Sequence, residues 1–239
     1  MAEDEIVKHS RKIYKTWFNN ELSIWHKISE FLIEMLIIIF AVTISIWFHN
    51  LSEHRHQQHE VKQFLDGLKA DLTQDIKEMN DDKQSFINQR IIFSYLAKLK
   101  INEIPNKDTL NKYHNWLFNN TVLNPNDGRF QGFKSSGKIG TIENNKLQND
   151  IMDLYEEDIP SLLMSTSGYN TFKQEFIELV FEDTKRLTDS TVNMIDVLRS
   201  DEVFNFTKSL STPDQVIERY DRCIQQINKI ISEIDKEYN

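Results

Sequence analysis

The chain carries several groups of residues that resemble reactive sites, and each lacks a part that its chemistry requires. Gly132, Gly137 and Lys138 have the spacing of a phosphate-binding loop, but the last position, which must bring a hydroxyl to Mg²⁺, is Ile139. Turn chemistry at Asn124, Pro125, Asn126, Asp127 and Gly128 precedes it, where that loop needs a buried strand. His59 and Glu60 open a zinc-protease helix motif, but the position that must be histidine is Gln63. His49, Glu53, His56 and Glu60 share one helical face, and Glu53 with His56 has the spacing of a di-iron ligand pair. Such sites need a second pair on another helix. None is present, so these residues and His54 read as a solvated polar collar, with pH sensing the minor alternative. Cys223 has Asp214, Glu218 and Asp221 nearby, and an acidic setting does not activate a thiol. The sequence therefore offers no catalytic residue, no cofactor site and no metal site, and it predicts a protein that is not an enzyme.

The elements around these groups are more informative. The chain has 239 residues and a formal charge of −9, with 28 Lys+Arg against 37 Asp+Glu. That acidic balance, without a basic run, excludes a nucleic-acid partner. Six Gly and four Pro are too few for a turn-rich sandwich or barrel. One Cys excludes an intrachain disulfide framework. With 11% aromatic residues, disorder is not expected either.

Residues 31–48 read FLIEMLIIIFAVTISIWF, in which Glu34, Thr43 and Ser45 are the polar positions. A helix of that length covers roughly 27 Å, about one hydrocarbon core. Trp25 and Trp47 flank it as interfacial aromatics do. The segment ahead is too long for a signal-peptide n-region, and His49, Asn50 and Leu51 make no cleavage site, so a retained signal anchor is expected. Residues 11–30 hold four Lys/Arg and residues 49–68 hold two. The positive-inside bias then puts the N-terminus in the cytoplasm and the rest outside, as for a single span in a bacterial inner membrane.

Glu34 is a carboxylate one turn inside the span, where it either snorkels to the headgroups or serves a function. Glu34, Ile38, Ala41 and Ser45 fall on one face, and Ala41 with Ser45 makes a small-xxx-small pair that lets helices approach. This face is expected to pack on a second transmembrane helix. Ahead of the span, Ile13, Tyr14, Trp17, Phe18, Leu22, Trp25 and Ile28 recur at three- and four-residue steps, as in an amphipathic helix on the lipid surface.

Beyond the span the chain is expected to be all-α. One long helix, or two end to end, is expected over 61–100, with residues 80–82 as the place for a bend. Shorter helices are expected over 109–119, 144–157, 160–184 and 188–200, with a glycine-rich structured turn over 128–140. At the C-terminus Thr212 suits the N-cap and Pro213 the first helical position. Ile217, Tyr220, Ile224, Ile227, Ile231 and Ile234 then follow in alternating three- and four-residue steps. This coiled-coil-like stripe could face the 61–99 helix of the same chain or a second copy, and its width favours a bundle. The expected organisation is an amphipathic helix over 1–30, a transmembrane helix over 31–49 and a helical extramembrane domain over 50–239.

The span from Ile33 to Glu53 resembles that of a family of uncharacterised Bacteroidota membrane proteins, which opens with Gly-Glu and closes with Asn-Asn-Trp-Asn-Glu. Glu34, Asn50 and Glu53 match, while Ile33 and Leu51 replace the Gly and the Trp. Ser136, Gly137, Ile139, Ile142, Asn144 and Leu147 resemble a later pattern of that family. The resemblance implies one span and an extracytoplasmic helical domain, with Ser136 and Gly137 as a structural turn, and it implies no activity. The expected role is a structural or interaction subunit that contacts lipid and either a membrane-protein partner or further copies of itself. The alternative is an oligomeric effector that opens a pore, with Glu34, Thr43 and Ser45 lining a water path.

Overall fold

Apolar residues at three- and four-residue steps close into helices along almost the whole chain. The computed structural model describes residues 7, 8, 11, 12, 14, 15, 23–100, 102–189 and 191–238. Its helices are α1 (Ile24–Leu96), α2 (Lys107–Phe118), α3 (Gly128–Ser135), α4 (Asn145–Asp153), α5 (Ile159–Asp183), α6 (Met194–Val197), α7 (Asp201–Leu210) and α8 (Asp214–Tyr238). Among the described residues the β pairing is an isolated bridge between Arg186 and Val192. The protein is all-α.

Local chemistry sets the ends of these helices. Side-chain oxygens of Asn106, Asn144 and Ser200 accept from the backbone N–H groups of Thr109, Leu147 and Val203, which satisfies first-turn donors of α2, α4 and α7. Between α4 and α5 the chain makes one wide π turn, Leu154–Asp158. Pro160 has no N–H to donate back into the preceding turn, so the helical ladder there has to be re-spaced. Gly137 ends the α3 region with φ of +75°, a backbone angle that side-chain-bearing residues rarely adopt.

The chain divides into two compact units, Met1–Glu60 and Val61–Asn239. In the first, the part of α1 over residues 31–48 turns its apolar side chains outward. Most of the amphipathic N-terminal stripe, including Ile13, Trp17, Phe18 and Leu22, lies outside the described residues. In the second unit, Val61, Leu65, Leu68, Leu72 and Met79 of α1 are fully buried against Leu147 and Ile151 of α4, Leu162 of α5, and Tyr220, Ile227 and Ile234 of α8. A second cluster gathers Ile92, Phe93, Leu117, Phe176, Val180, Val203 and Leu210. Phe93 and Phe176 meet edge to face there, with centroids 5.3 Å apart. Each such side chain contributes about 1.5–3 kcal/mol on burial.

Several expectations are corrected. The helix does not break at residues 80–82. Asn80 Nδ2 donates to Ile76 O one turn back, a bond that fits within the helix, and Asp82 accepts from Tyr220, so the polar run is accommodated without a break. The glycine-rich segment contains a helix, α3, because Phe130 stacks on Tyr155 at 4.4 Å and Phe133 on Phe64 at 3.9 Å. The stretch over 188–200 is not one helix. Leu187 N donates to Thr191 O in a tight reversal, and only Met194–Val197 is α-helical. At the start of α8 the Thr212 hydroxyl donates back to Ser209 O, and Pro213 O accepts the N–H groups of Val216 and Ile217.

Candidate functional site

The first unit presents an apolar surface. An 18-residue window of α1 has a mean hydropathy of 2.5, and only 6% of it is buried. A helix in a soluble core would be mostly buried. Leu36, Ile39, Phe40, Ile46, Trp47 and Phe48 all project outward. This is one helix long and apolar enough to cross a membrane, near the N-terminus.

Of the face named from the sequence, Glu34 is 1% exposed, Ile38 is half-buried, and Ala41 and Ser45 are open. Glu34 has a partner in its own chain, because Lys12 Nζ reaches its Oε1 at 2.5 Å and stands 3.6 Å from Glu30. A carboxylate paired with an ammonium is far cheaper to hold in an apolar setting than a lone one. The hydroxyls of the span are also satisfied, Thr43 donating to Ile39 O at 2.7 Å and Ser45 to Ala41 O at 2.8 Å. In the histidine collar, His49 lies 3.8 Å from Glu53 and His56 lies 3.7 Å from Glu60, each one helical turn apart. Among the described residues no three such side chains converge as metal ligands.

The second unit has a polar seam that the sequence did not reveal as a unit. Asp71, Asp75, Glu78 and Asp82 recur on α1 at steps of four, three and four, beside the apolar stripe. Two of them hold the irregular segment after α2, and a third holds the start of α3. Arg129 donates to Asp71 at 2.8 Å, Asn126 to Asp75 through its backbone N–H at 3.1 Å and through Nδ2 at 2.6 Å, and the Asn124 N–H to Glu78 at 2.9 Å. Backbone donors that lack a helix or sheet must find acceptors elsewhere, and these carboxylates supply them. Asp82 accepts from Tyr220 OH at 3.1 Å. Burial pushes Asp75 and Asp82 above the usual carboxylate range, and the hydrogen bonds from Asn126 and Tyr220 only partly oppose it.

The seam ends at Lys173 of α5, which is fully buried. Its Nζ donates to Gln89 Oε1 at 2.9 Å, Trp116 O at 2.8 Å and Asn119 O at 2.6 Å. The last two are carbonyls at the C-terminus of α2, where the helix dipole favours a cation. Burial pushes the ammonium down to about 7. Against that, three oxygens match the three N–H groups that only the charged form has. A buried amine with all its donors engaged is a staple between α1, α2 and α5 rather than a nucleophile. A signal for it did exist, since Thr166, Asn170 and Lys173 continue the buried stripe of Ile159, Leu162, Phe176 and Val180.

A third polar group ties α4 to α8. Asp150 accepts from Lys229 at 2.7 Å and Lys146 at 3.0 Å. Burial alone would raise this carboxyl, but its bonds to Lys229, Lys146 and Gln226 together hold it below the usual range. The C-terminal stripe is used inside the chain. Tyr220, Ile227 and Ile234 lie in the core, and Ile217, Ile224 and Ile231 pack partly buried against it. Burial pushes the Cys223 thiol up to about 12, which keeps it protonated and inert.

No family model, no curated protein and no solved structure matches the chain.

Proposed function

We propose that this chain is a single-pass, membrane-anchored interaction subunit without catalytic activity of its own. The carrying observation is the outward-facing apolar segment of α1, 6% buried. An exposed apolar surface of that length needs lipid to cover it. Further support comes from the second unit, where Lys173 and Cys223 are both buried and engaged structurally. The excess of Lys and Arg before the span favours a bacterial inner membrane with residues 50–239 on the periplasmic side. The span face of Glu34, Ile38, Ala41 and Ser45 would meet a second transmembrane helix, from a partner or another copy, while Lys12 keeps Glu34 neutralised.

The test is alkaline extraction of native membranes, followed by the mass of the complex purified in mild detergent. The reading requires the chain to stay in the pellet and to purify at fixed ratio with another protein or with copies of itself. Release into the alkaline supernatant would end it. Replacing Ala41 and Ser45 together by Leu should abolish in-membrane cross-linking at this face.

A further inference from the structure

The histidine collar continues the apolar segment within α1, with no break between them. With residues 31–48 in the hydrocarbon, His49 stands about 1.5 Å beyond Phe48, and His54 and His56 about 9–12 Å beyond it. A headgroup layer is about 5–8 Å deep on each side of the hydrocarbon. His49 then falls within that layer. His54 and His56 fall just outside it, where a surface potential still acts over a Debye length of about 8–10 Å. His59 lies at the far reach of that potential.

Two features suit this segment to a charged layer rather than to a pocket. The first is placement. Successive side chains turn by about 100°, so His49, His54, Arg55, His56 and His59 are distributed around the helix instead of sharing one face. All five are exposed, so solvent rather than another element faces them. Their acidic neighbours on the same helix are Glu53, 3.8 Å from His49, and Glu60, 3.7 Å from His56. The second feature is charge. With the histidines neutral, Arg55 against Glu53 and Glu60 leaves residues 49–60 at −1. With all four histidines charged, the same stretch stands at +3. Histidine as a residue type makes that change between about pH 8 and pH 5. The sign of the segment reverses, from one that anionic headgroups repel to one that they attract.

We propose that the collar is a pH-gated contact surface for anionic phospholipid headgroups. Below neutral pH it draws these lipids around the end of the span, and above it releases them. The proposal rests on the membrane-anchored reading given above and adds the lipid class and the condition under which it is held.

The test reconstitutes the full chain in phosphatidylcholine vesicles with traces of spin-labelled phosphatidylcholine or spin-labelled phosphatidylglycerol. Electron spin resonance reads the share of each lipid that the protein holds motionally restricted. At about pH 5.5 phosphatidylglycerol should be preferred about threefold or more, and at about pH 8 the preference should fall towards none. The combined variant His49→Gln, His54→Gln, His56→Gln and His59→Gln keeps good helix formers at exposed positions and should lose the pH dependence. A preference that is the same at both pH values overturns the proposal, as does a pH dependence that the combined variant retains. In both of those cases restricted phosphatidylcholine still shows the span in lipid, so the membrane-anchored reading stands. Absence of any restricted phosphatidylcholine would end that reading and this proposal together.

Discussion

At the scale of single residues, burial separates the groups that hold the fold from those free to act. Lys173 donates to three oxygens on two other helical segments, and removing the ammonium orphans all of them at once. Lys173→Met should lower the unfolding free energy by about 3 kcal/mol or more, read from urea denaturation followed by tryptophan fluorescence. Asp75 makes the opposite case. Its carboxyl is raised in the folded protein, mainly by burial, so the folded state binds the proton more tightly than the unfolded one. The resulting stability is fully present below about pH 4 and is lost as pH rises through the raised value. Asp75→Asn removes that dependence. The urea midpoint of the variant should therefore gain on the parent protein between pH 4 and 7, and a constant difference across that window would contradict the assignment. The sequence placed Lys173 on the apolar stripe of its helix but did not tell its fate, or that of Asp75. A lysine among Phe172, Phe176 and Val180, or an aspartate beside Leu72 and Met79, looks the same whether it snorkels to water or is enclosed. Only the three-dimensional meeting of distant segments decides between those outcomes.

At the scale of elements, the sequence was legible wherever periodicity alone sets the structure. The alternating steps of α8 and the 61–96 part of α1 define long apolar stripes, and both form as helices. The periodic reading was less reliable where packing overrides local signals. Glycine disfavours helix by about 1 kcal/mol, so the clustered glycines of α3 favour a turn locally, but two aromatic stacks reverse that preference. Gly67 shows a finer balance of the same kind. A Cβ there would stand 2.4 Å from Arg129 Cζ, so the guanidinium, the far end of a flexible side chain, would have to leave Asp71. The helix gains about 1 kcal/mol from Gly→Ala, and a partly exposed ion pair is worth up to about 1 kcal/mol. Gly67→Ala alone should thus be close to neutral. In an Arg129→Ala background the same change should stabilise by about 0.5–1 kcal/mol, a coupling that a double-mutant cycle would measure.

At the scale of the whole molecule, the apolar segment over residues 31–48 is the candidate membrane span, and the proposed function rests on it. Its side chains face outward, so nothing in its own unit covers most of it. Lysine at the centre of a span costs about 2.5–3.5 kcal/mol on insertion scales. Ile39→Lys combined with Val42→Lys should move the chain from the membrane pellet to the soluble fraction after cell lysis. An unchanged distribution would mean that another part of the chain holds it there. The long apolar helix was readable from the sequence because an unbroken apolar run needs no tertiary partner to be recognised. The pairing of Lys12 with Glu34 was not, because it joins residues 22 positions apart, in segments whose approach no local pattern encodes.

The carboxylate seam also governs how the segment after α2 behaves in time. Irregular segments normally exchange their amide hydrogens with solvent readily, because water is their acceptor. Here the N–H groups of Asn124 and Asn126 end on Glu78 and Asp75, carboxylates in the middle of a long helix. In deuterium these two amides should exchange far more slowly than their coil geometry implies, on the clock of the helix that holds them.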